Sequence, residues 1–272
     1  MSDAMPDKKA AELGRLLRNI AGSGKTLAVA YSGGLDSRFL IHAALRESLD
    51  VQALHVRGPH IPRQEYAFAL DWATSRNVPL TILDLNPLAM PALRQNPKDR
   101  CYHCKTAVFS ALRESAGTLP LCDGTNASDL GEYRPGLKAL AELGIRSPLA
   151  ETGIPKTAIR AIAAATGLED PDQAAQPCLL TRFAYGATLS ADLLAAVDRA
   201  EDAVRDVLAA HGVPDTPFRF RFETPETPAL HLTRETFGPE TKTALAQALE
   251  RAGFPGAPVR YMDSLSGYFD RG

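Results

Sequence analysis

Six residues, Ser32-Gly33-Gly34-Leu35-Asp36-Ser37, bring two glycines, two hydroxyls and a carboxylate together directly after the apolar run Leu27-Ala-Val-Ala-Tyr31. Glycines let a backbone approach a phosphate closely, Ser32 and Ser37 add hydroxyl donors, and a helix starting near Ser37 aims its free N–H groups at an anion. Asp36 is placed to hold Mg²⁺. Taken alone, a Gly-Gly pair reads more simply as a structural turn. A second segment, Gly22-Ser23-Gly24-Lys25-Thr26, carries the Gly-Lys-Thr of a Walker A loop, but Asn19 stands where its first glycine belongs. It also precedes a strand where a phosphate loop follows one, so it reads as a turn into the first strand.

Asp123-Gly124-Thr125-Asn126-Ala127-Ser128-Asp129 follows another short apolar run. In an open α/β sheet ligands gather beyond the carboxyl ends of the strands, so this loop is expected to face the same crevice as Ser32. Asp123 and Asp129 suit Mg²⁺-pyrophosphate, and Gly124, Thr125 and Asn126 suit polar contact with a nucleotide. Capping of a helix by Asn126 or Ser128 is the alternative. Cys101-Tyr102-His103-Cys104-Lys105 opens a helix, where residues three apart share a face, so both sulfurs can serve one metal or one reaction centre. Cys178 is the third candidate thiol, and Cys122, in an apolar strand, reads as a core residue. Three thiolates would leave one iron of a 4Fe-4S cluster open; a redox pair or incidental thiols are the alternatives.

Strands and helices alternate to position these residues. The pattern predicts strands at 27–31, 51–56, 80–85 and 119–122 and helices at 39–45, 64–76 and 102–116, preceded by an amphipathic helix bearing Leu13, Leu16, Leu17 and Ile20. Such alternation specifies an α/β fold with a doubly wound parallel sheet. Beyond Cys178 the texture changes: a helix at 191–211, the alternating Phe218-Arg-Phe-Arg-Phe222 with one wet face, a strand around Leu230, a helix at 239–252 and a strand at 259–262. The division expected is residues 1–188 and a small C-terminal α+β domain, 189–272.

The 272 residues, 45% hydrophobic and 23% charged with a net charge of −2, supply enough core to need no disulfide staples, and no clustered basic excess points to nucleic acid. Four cysteines, one Cys-x-x-Cys pair, a polar N-terminus and no apolar run of about 18 residues lead to the expectation of a cytoplasmic protein with no membrane span.

The Ser-Gly-Gly-x-Asp-Ser string resembles the PP-loop of the ATP pyrophosphatases, the adenine nucleotide alpha hydrolase-like fold. Along nearly the whole chain the residues resemble the LarE family of ATP-dependent sulfur transferases, which help to make the nickel-pincer cofactor of lactate racemase. The matching stretches are residues 32–37, Arg100-Cys-Tyr-His-Cys-Lys105, Asp-Gly-Thr-Asn at 123–126, Tyr133-Arg-Pro-Gly-Leu-Lys138, Arg146-Ser-Pro-Leu149, Pro177-Cys-Leu-Leu-Thr-Arg-Phe-Ala-Tyr-Gly186, Phe218-Arg-Phe-Arg221 and Gly267-Tyr268. The resemblance implies that ATP adenylates a carboxylate of a pyridinium mononucleotide and that sulfur then displaces AMP. It implies two sulfur sources: Cys178 giving up its own sulfur, or a 4Fe-4S cluster on Cys101, Cys104 and Cys178 that ferries sulfide from another donor. The presence of all three cysteines favours the cluster. The resemblance also implies a homo-oligomer, such as a hexamer.

Where the family carries a Trp and a Lys-Pro before the cysteine, this chain has Asp170-Pro-Asp-Gln-Ala-Ala-Gln-Pro177, so the substrate pocket differs. Arg182 suits a substrate phosphate, with a surface ion pair as the alternative. Glu201 matches an acidic family position associated with a metal, with a solvated helix face as the alternative. A tRNA thiolase calls for a basic surface, and an amide-forming ligase calls for an ammonia source for which the chain has no room. A nucleotide-sensing module without chemistry leaves the three cysteines without a role.

Overall fold

The computed structural model describes residues 4–131, 136–233 and 237–270. They fall into two compact units. The first comprises Met1–Gly58, Arg63–Leu85 and Cys101–Gln176, and the second Pro59–Pro62, Asn86–Arg100 and Pro177–Gly272. The sequence division at 188/189 lies inside the second unit, because Leu179, Leu180, Phe183 and Ala187 are buried in that unit's core.

The first unit runs α1 (Ala4–Ala21), β1 (Thr26–Ala30), α2 (Leu35–Arg46), β2 (Asp50–Arg57), α3 (Arg63–Ser75), β3 (Leu80–Asp84), α4 (Arg100–Ala116), β4 (Leu121–Cys122), α5 (Gly136–Glu142), α6 (Pro148–Glu151) and α7 (Lys156–Ala165). Four parallel strands in the order β3-β2-β1-β4, flanked by helices, make the expected α/β sheet. β1 is central, and its Leu27, Ala28 and Val29 are wholly buried, as a parallel strand covered on both faces requires. Gly22–Gly24 is a single 3₁₀ turn leading into β1, so the Walker-like tripeptide is indeed a turn. On α1, Leu13 and Leu17 are buried while Arg15 and Arg18 face solvent. β4 is shorter than expected: Pro120 has no N–H for the ladder, and the Leu119 N–H turns back to the Ala116 carbonyl. The stretch 136–165, which the strand and helix pattern leaves unassigned, holds three helices.

The second unit contains α8 (Ala191–Ala210), β5 (Phe218–Thr224), β6 (Thr227–Leu232), α9 (Pro239–Arg251) and β7 (Val259–Tyr261), with the sheet ordered β5-β6-β7. Ser190 caps α8 by accepting from the Leu193 N–H. Leu194, Val197, Val204 and Leu208 of α8 share a core with Phe220, Leu230 and Leu232. The wet face expected of Phe218–Phe222 is only partly wet. Phe218, Phe220 and Phe222 are buried, but Arg221 is buried as well. It bonds His231 Nδ1 at 2.9 Å and the Leu265 carbonyl, and it lies 4.9 Å from the Tyr268 ring centre. Burial and the neighbouring Arg182 and Arg219 push its pKa down to about 10. Among the described residues no helix is long and apolar enough to cross a membrane.

Candidate functional site

The chain leaves β1 through Tyr31, whose hydroxyl donates to the Ala69 carbonyl of α3 and whose burial raises its pKa. Gly33 follows with φ +85°, and a Cβ there would lie 2.8 Å from Ala69 Cβ, so only glycine makes this bend. Gly34 is the N-cap of α2 and offers no side chain, which leaves the first backbone N–H groups of the helix open beyond the strand. The two serine hydroxyls lie 3.2 Å apart. Ser37 Oγ donates to the Gly34 carbonyl and accepts from the Ser32 N–H, while the Gly34 N–H donates to Ser32 Oγ at 3.3 Å. The turn therefore holds its own shape before any ligand arrives.

The loop after β4 meets this turn backbone to backbone. A Cβ on Gly124 would lie 2.9 Å from the Ser37 nitrogen and 3.1 Å from the Asp36 carbonyl carbon. Asn126 Nδ2 reaches Asp36 Oδ2 at 3.4 Å, and the Asn126 N–H donates to Asp129. Asp36 Oδ1 is paired at 2.6 Å with Lys156, the first residue of α7. The Lys156 N–H in turn donates to Ser128 Oγ. Asp123 is 5% exposed and accepts hydrogen bonds from Ser147 and Thr125. Burial raises its pKa against the lowering effect of those donors and of Lys105.

Of the carboxylates expected to take Mg²⁺, both have partners on each oxygen, Lys156 and Asn126 for Asp36 and two hydroxyls for Asp123, but the Asp36 side chain is 28% exposed while Asp123 is buried. Asp36 is the more open of the two carboxylates, and Asp123 is held in place by Ser147 and Thr125. Cys101 is exposed and Cys104 half-buried, and neither is in a disulfide. Cys122 is a core residue as expected, its thiol pushed up to about 12 by burial.

In the second unit, half-buried Cys178 precedes a 3₁₀ turn, Leu179–Arg182. Its carbonyl accepts from the Thr181 N–H and hydroxyl. Buried Asn96 donates to the carbonyls of Phe183 and Ala184, and the Leu179 N–H donates to the His60 carbonyl, so the turn is tethered from two other stretches of the chain. Arg182 is 1% exposed and pairs in a two-pronged contact with Glu201, at 2.8 and 3.0 Å. Glu201 Oε1 also accepts the Phe220 N–H. Neither the surface ion pair nor the solvated helix face describes these residues, because both side chains are buried. The structure spends their charges on each other. Among the described residues no three or more His, Cys, Asp or Glu side chains gather to hold a metal ion.

No family model matches the chain. It is 36% identical over 193 residues to an uncharacterized protein of Synechocystis, covering 70% of this chain and 72% of the relative. It is 32% identical over 185 residues to an uncharacterized protein of Methanocaldococcus jannaschii, covering 67% and 70%. It is also 33% identical over 210 residues to the pyridinium-3,5-bisthiocarboxylic acid mononucleotide synthase of Lactiplantibacillus plantarum, covering 73% of this chain and 74% of that one. The chain belongs to this synthase family.

In this family member the structure brings Ser32, Gly33, Gly34, Asp36, Ser37, Gly124, Thr125, Asn126 and Asp129 together within the first unit, while Cys178, Arg182 and Glu201 belong to the second. Ser147, in contact with Asp123, lies in the Arg146-Ser-Pro-Leu149 stretch, which assigns it no role, and Lys156, in contact with Asp36, belongs to no motif of the sequence. An isolated lysine or serine carries no spacing signal, and only the fold delivers it to the loop. Tyr133, Arg134 and Pro135 of the Tyr133–Lys138 stretch lie outside the described residues.

Proposed function

We propose that this chain is an ATP-dependent sulfurtransferase of nickel-pincer cofactor biosynthesis, converting a carboxylate of a pyridinium mononucleotide to a thiocarboxylate. The observation that carries the reading is the contact of Gly124 with the backbone of Ser37, which joins two glycine loops at the carboxyl ends of neighbouring strands β1 and β4. The name of the Lactiplantibacillus relative supports the substrate class and the sulfur chemistry.

A free carboxylate is a poor electrophile. In the proposed reaction its oxygen attacks the α-phosphorus of ATP, pyrophosphate leaves, and a sulfur nucleophile then adds to the activated carbonyl and expels AMP. The Gly33-Gly34 turn and the N-terminus of α2 cradle the phosphates, with Ser32 and Ser37 as hydroxyl donors. Lys156 offsets phosphate charge, and Asp36 holds Mg²⁺, which supplies further charge neutralisation when bound. Thr125 and Asn126 contact the nucleotide from the second loop. Cys178 serves sulfur transfer in one of two forms. In the first form of the proposal Cys101, Cys104 and Cys178, none of them in a disulfide and not gathered into a metal-holding group among the described residues, would ligate a 4Fe-4S cluster that supplies sulfide. In the second form of the proposal the Cys178 thiolate displaces AMP to give a thioester, and β-elimination then breaks the Cβ–Sγ bond, releasing the thiocarboxylate and leaving dehydroalanine at position 178. The assembly proposed is a homo-oligomer.

The test is incubation with Mg²⁺-ATP and pyridinium-3,5-biscarboxylic acid mononucleotide, reading pyrophosphate release and a thiocarboxylate product by mass spectrometry. Absence of both products refutes the reading. Iron and acid-labile sulfide after anaerobic reconstitution separate the two sulfur sources. About four irons per chain, lost in Cys101→Ala, mean the cluster. No iron, with a mass loss at Cys178 after one turnover, means the sacrificial cysteine.

A further inference from the structure

The segment from Glu169 to Gln173 is tied back to α2 and the Ser32–Ser37 loop by two side chains, Arg38 and Gln173. Arg38, on α2, is wholly buried. Its NH1 donates to the Glu169 carbonyl at 2.8 Å, and its NH2 donates to the Asp170 carbonyl at 3.1 Å and to Gln173 Oε1 at 2.8 Å. The guanidinium carbon lies 5.1 Å from the Phe68 ring centre and 5.9 Å from that of Trp72, so two α3 aromatics fix its position. Asp170 adopts φ +48° while presenting its carbonyl to this cation.

The other end of the Gln173 amide reaches the loop. Nε2 donates to the Gly33 carbonyl at 3.4 Å. The peptide between Gly33 and Gly34 is therefore held at both ends, its carbonyl by Gln173 and its N–H by Ser32 Oγ. The lack of space for a Cβ on Gly33, against Ala69, backs the same bend from the α3 side.

We propose that Gln173, held by Arg38, is a positioning residue of the nucleotide site: by gripping the Gly33 carbonyl it keeps the Gly34 N–H turned toward the place where a phosphate oxygen replaces the Ser32 hydroxyl as acceptor. This inference rests on the reading of residues 32–37 as the nucleotide loop. A donor fixed before binding costs no reorganisation when the anion arrives, which is why the tether matters although Gln173 need not touch the ligand.

The Gln173 side chain has two separable jobs, and substitution can split them. Gln173→Ala removes both bonds. Gln173→Glu keeps an acceptor for Arg38 but turns a second acceptor toward the Gly33 carbonyl. The experiment titrates Mg²⁺-ATP into the full chain by calorimetry, with fluorescence of Trp72, the sole tryptophan and a neighbour of Arg38, as a second readout. Loss of one hydrogen bond's worth of preorganisation predicts a Kd about three- to tenfold weaker for Gln173→Ala. Gln173→Glu should be weakened at least as much, and should remain so at about 0.5 M salt, where the added charge is largely screened. Wild-type affinity in Gln173→Glu, or a loss that vanishes at high salt, overturns the proposal and leaves Gln173 as a latch for its own segment. Should Gln173→Ala fail to fold, Gln173→Glu alone decides. A wild-type chain that binds no Mg²⁺-ATP refutes the nucleotide reading itself, a result distinct from normal binding by the variants.

Discussion

Removing the Glu201 carboxylate tests whether Arg182 and Glu201 are a structural pair or parts of a ligand site. Glu201 accepts three hydrogen bonds, two from Arg182 and one from the Phe220 N–H, and Arg182 retains only the Pro177 carbonyl and the Thr181 hydroxyl once they are gone. Glu201→Ala thus strands a guanidinium that is 1% exposed, at a cost of about 3–5 kcal/mol. Glu201→Gln, which keeps an acceptor for Phe220, should cost about 2–3 kcal/mol. Replacing both partners, Arg182→Met with Glu201→Leu, should cost less than Glu201→Ala alone, since no unpaired charge remains. Scanning calorimetry measures these shifts, with Trp72 fluorescence marking the melting of the first unit so that the second unit's transition can be assigned. Glu201→Ala should lower that transition by more than about 10 °C. A fall worth less than about 1 kcal/mol, or a double variant worse than the sum of the singles, refutes the reasoning. A chelator that lowers the wild-type transition but not that of Glu201→Ala would instead make Glu201 a metal ligand.

Cys178→Ala should abolish sulfur transfer while leaving pyrophosphate release partly intact, and full transfer by this variant would exclude both sulfur sources. Gly124→Ala places a methyl against the Ser37 nitrogen and the Asp36 backbone, neither of which is a flexible side-chain end, so nucleotide binding should be lost with about 1–3 kcal/mol of destabilisation, checked by calorimetry and urea melts. His60 is buried and pushed down to about 4 from its usual 6.5, so its neutral form is favoured by folding. The unfolded chain binds the extra proton between those two values, and stability should therefore rise with pH from about 4 to 6.5, by roughly 3 kcal/mol from this residue. His60→Leu should flatten that slope; an unchanged slope assigns it to other groups.

Much of the first unit can be read directly from the sequence because its strands are short apolar runs and its helices carry a buried stripe, so period and punctuation agree. Hydrophobicity alone continues the fourth strand back to Leu119, whereas Pro120 breaks the ladder and the strand begins at Leu121. The three helices of 136–165 have no strand between them to mark their ends, and α6, four residues long, carries no periodicity at all. At the site the glycines at 33 and 124 announced themselves, since a loop that needs close approach has few other residues to use. Lys156 and Gln173 could not, because each lies more than a hundred positions from the residue it serves. Arg221 was read as solvent-facing from alternation, and the pattern gives no hint that His231 and Leu265 would close over it.

Because Gly124 abuts Ser37 with no side chain between them, the spacing of the two loops is set by main-chain van der Waals contact and cannot be tuned by substitution. Evolution of a new acceptor substrate in such a framework has to happen where side chains still intervene. The stretch 170–177 is such a place, because Gln173 meets the Gly33 carbonyl through a side chain. On the proposed function, the junction holds the nucleotide loop fixed while side-chain changes in the adjoining segment adjust what lies beside it.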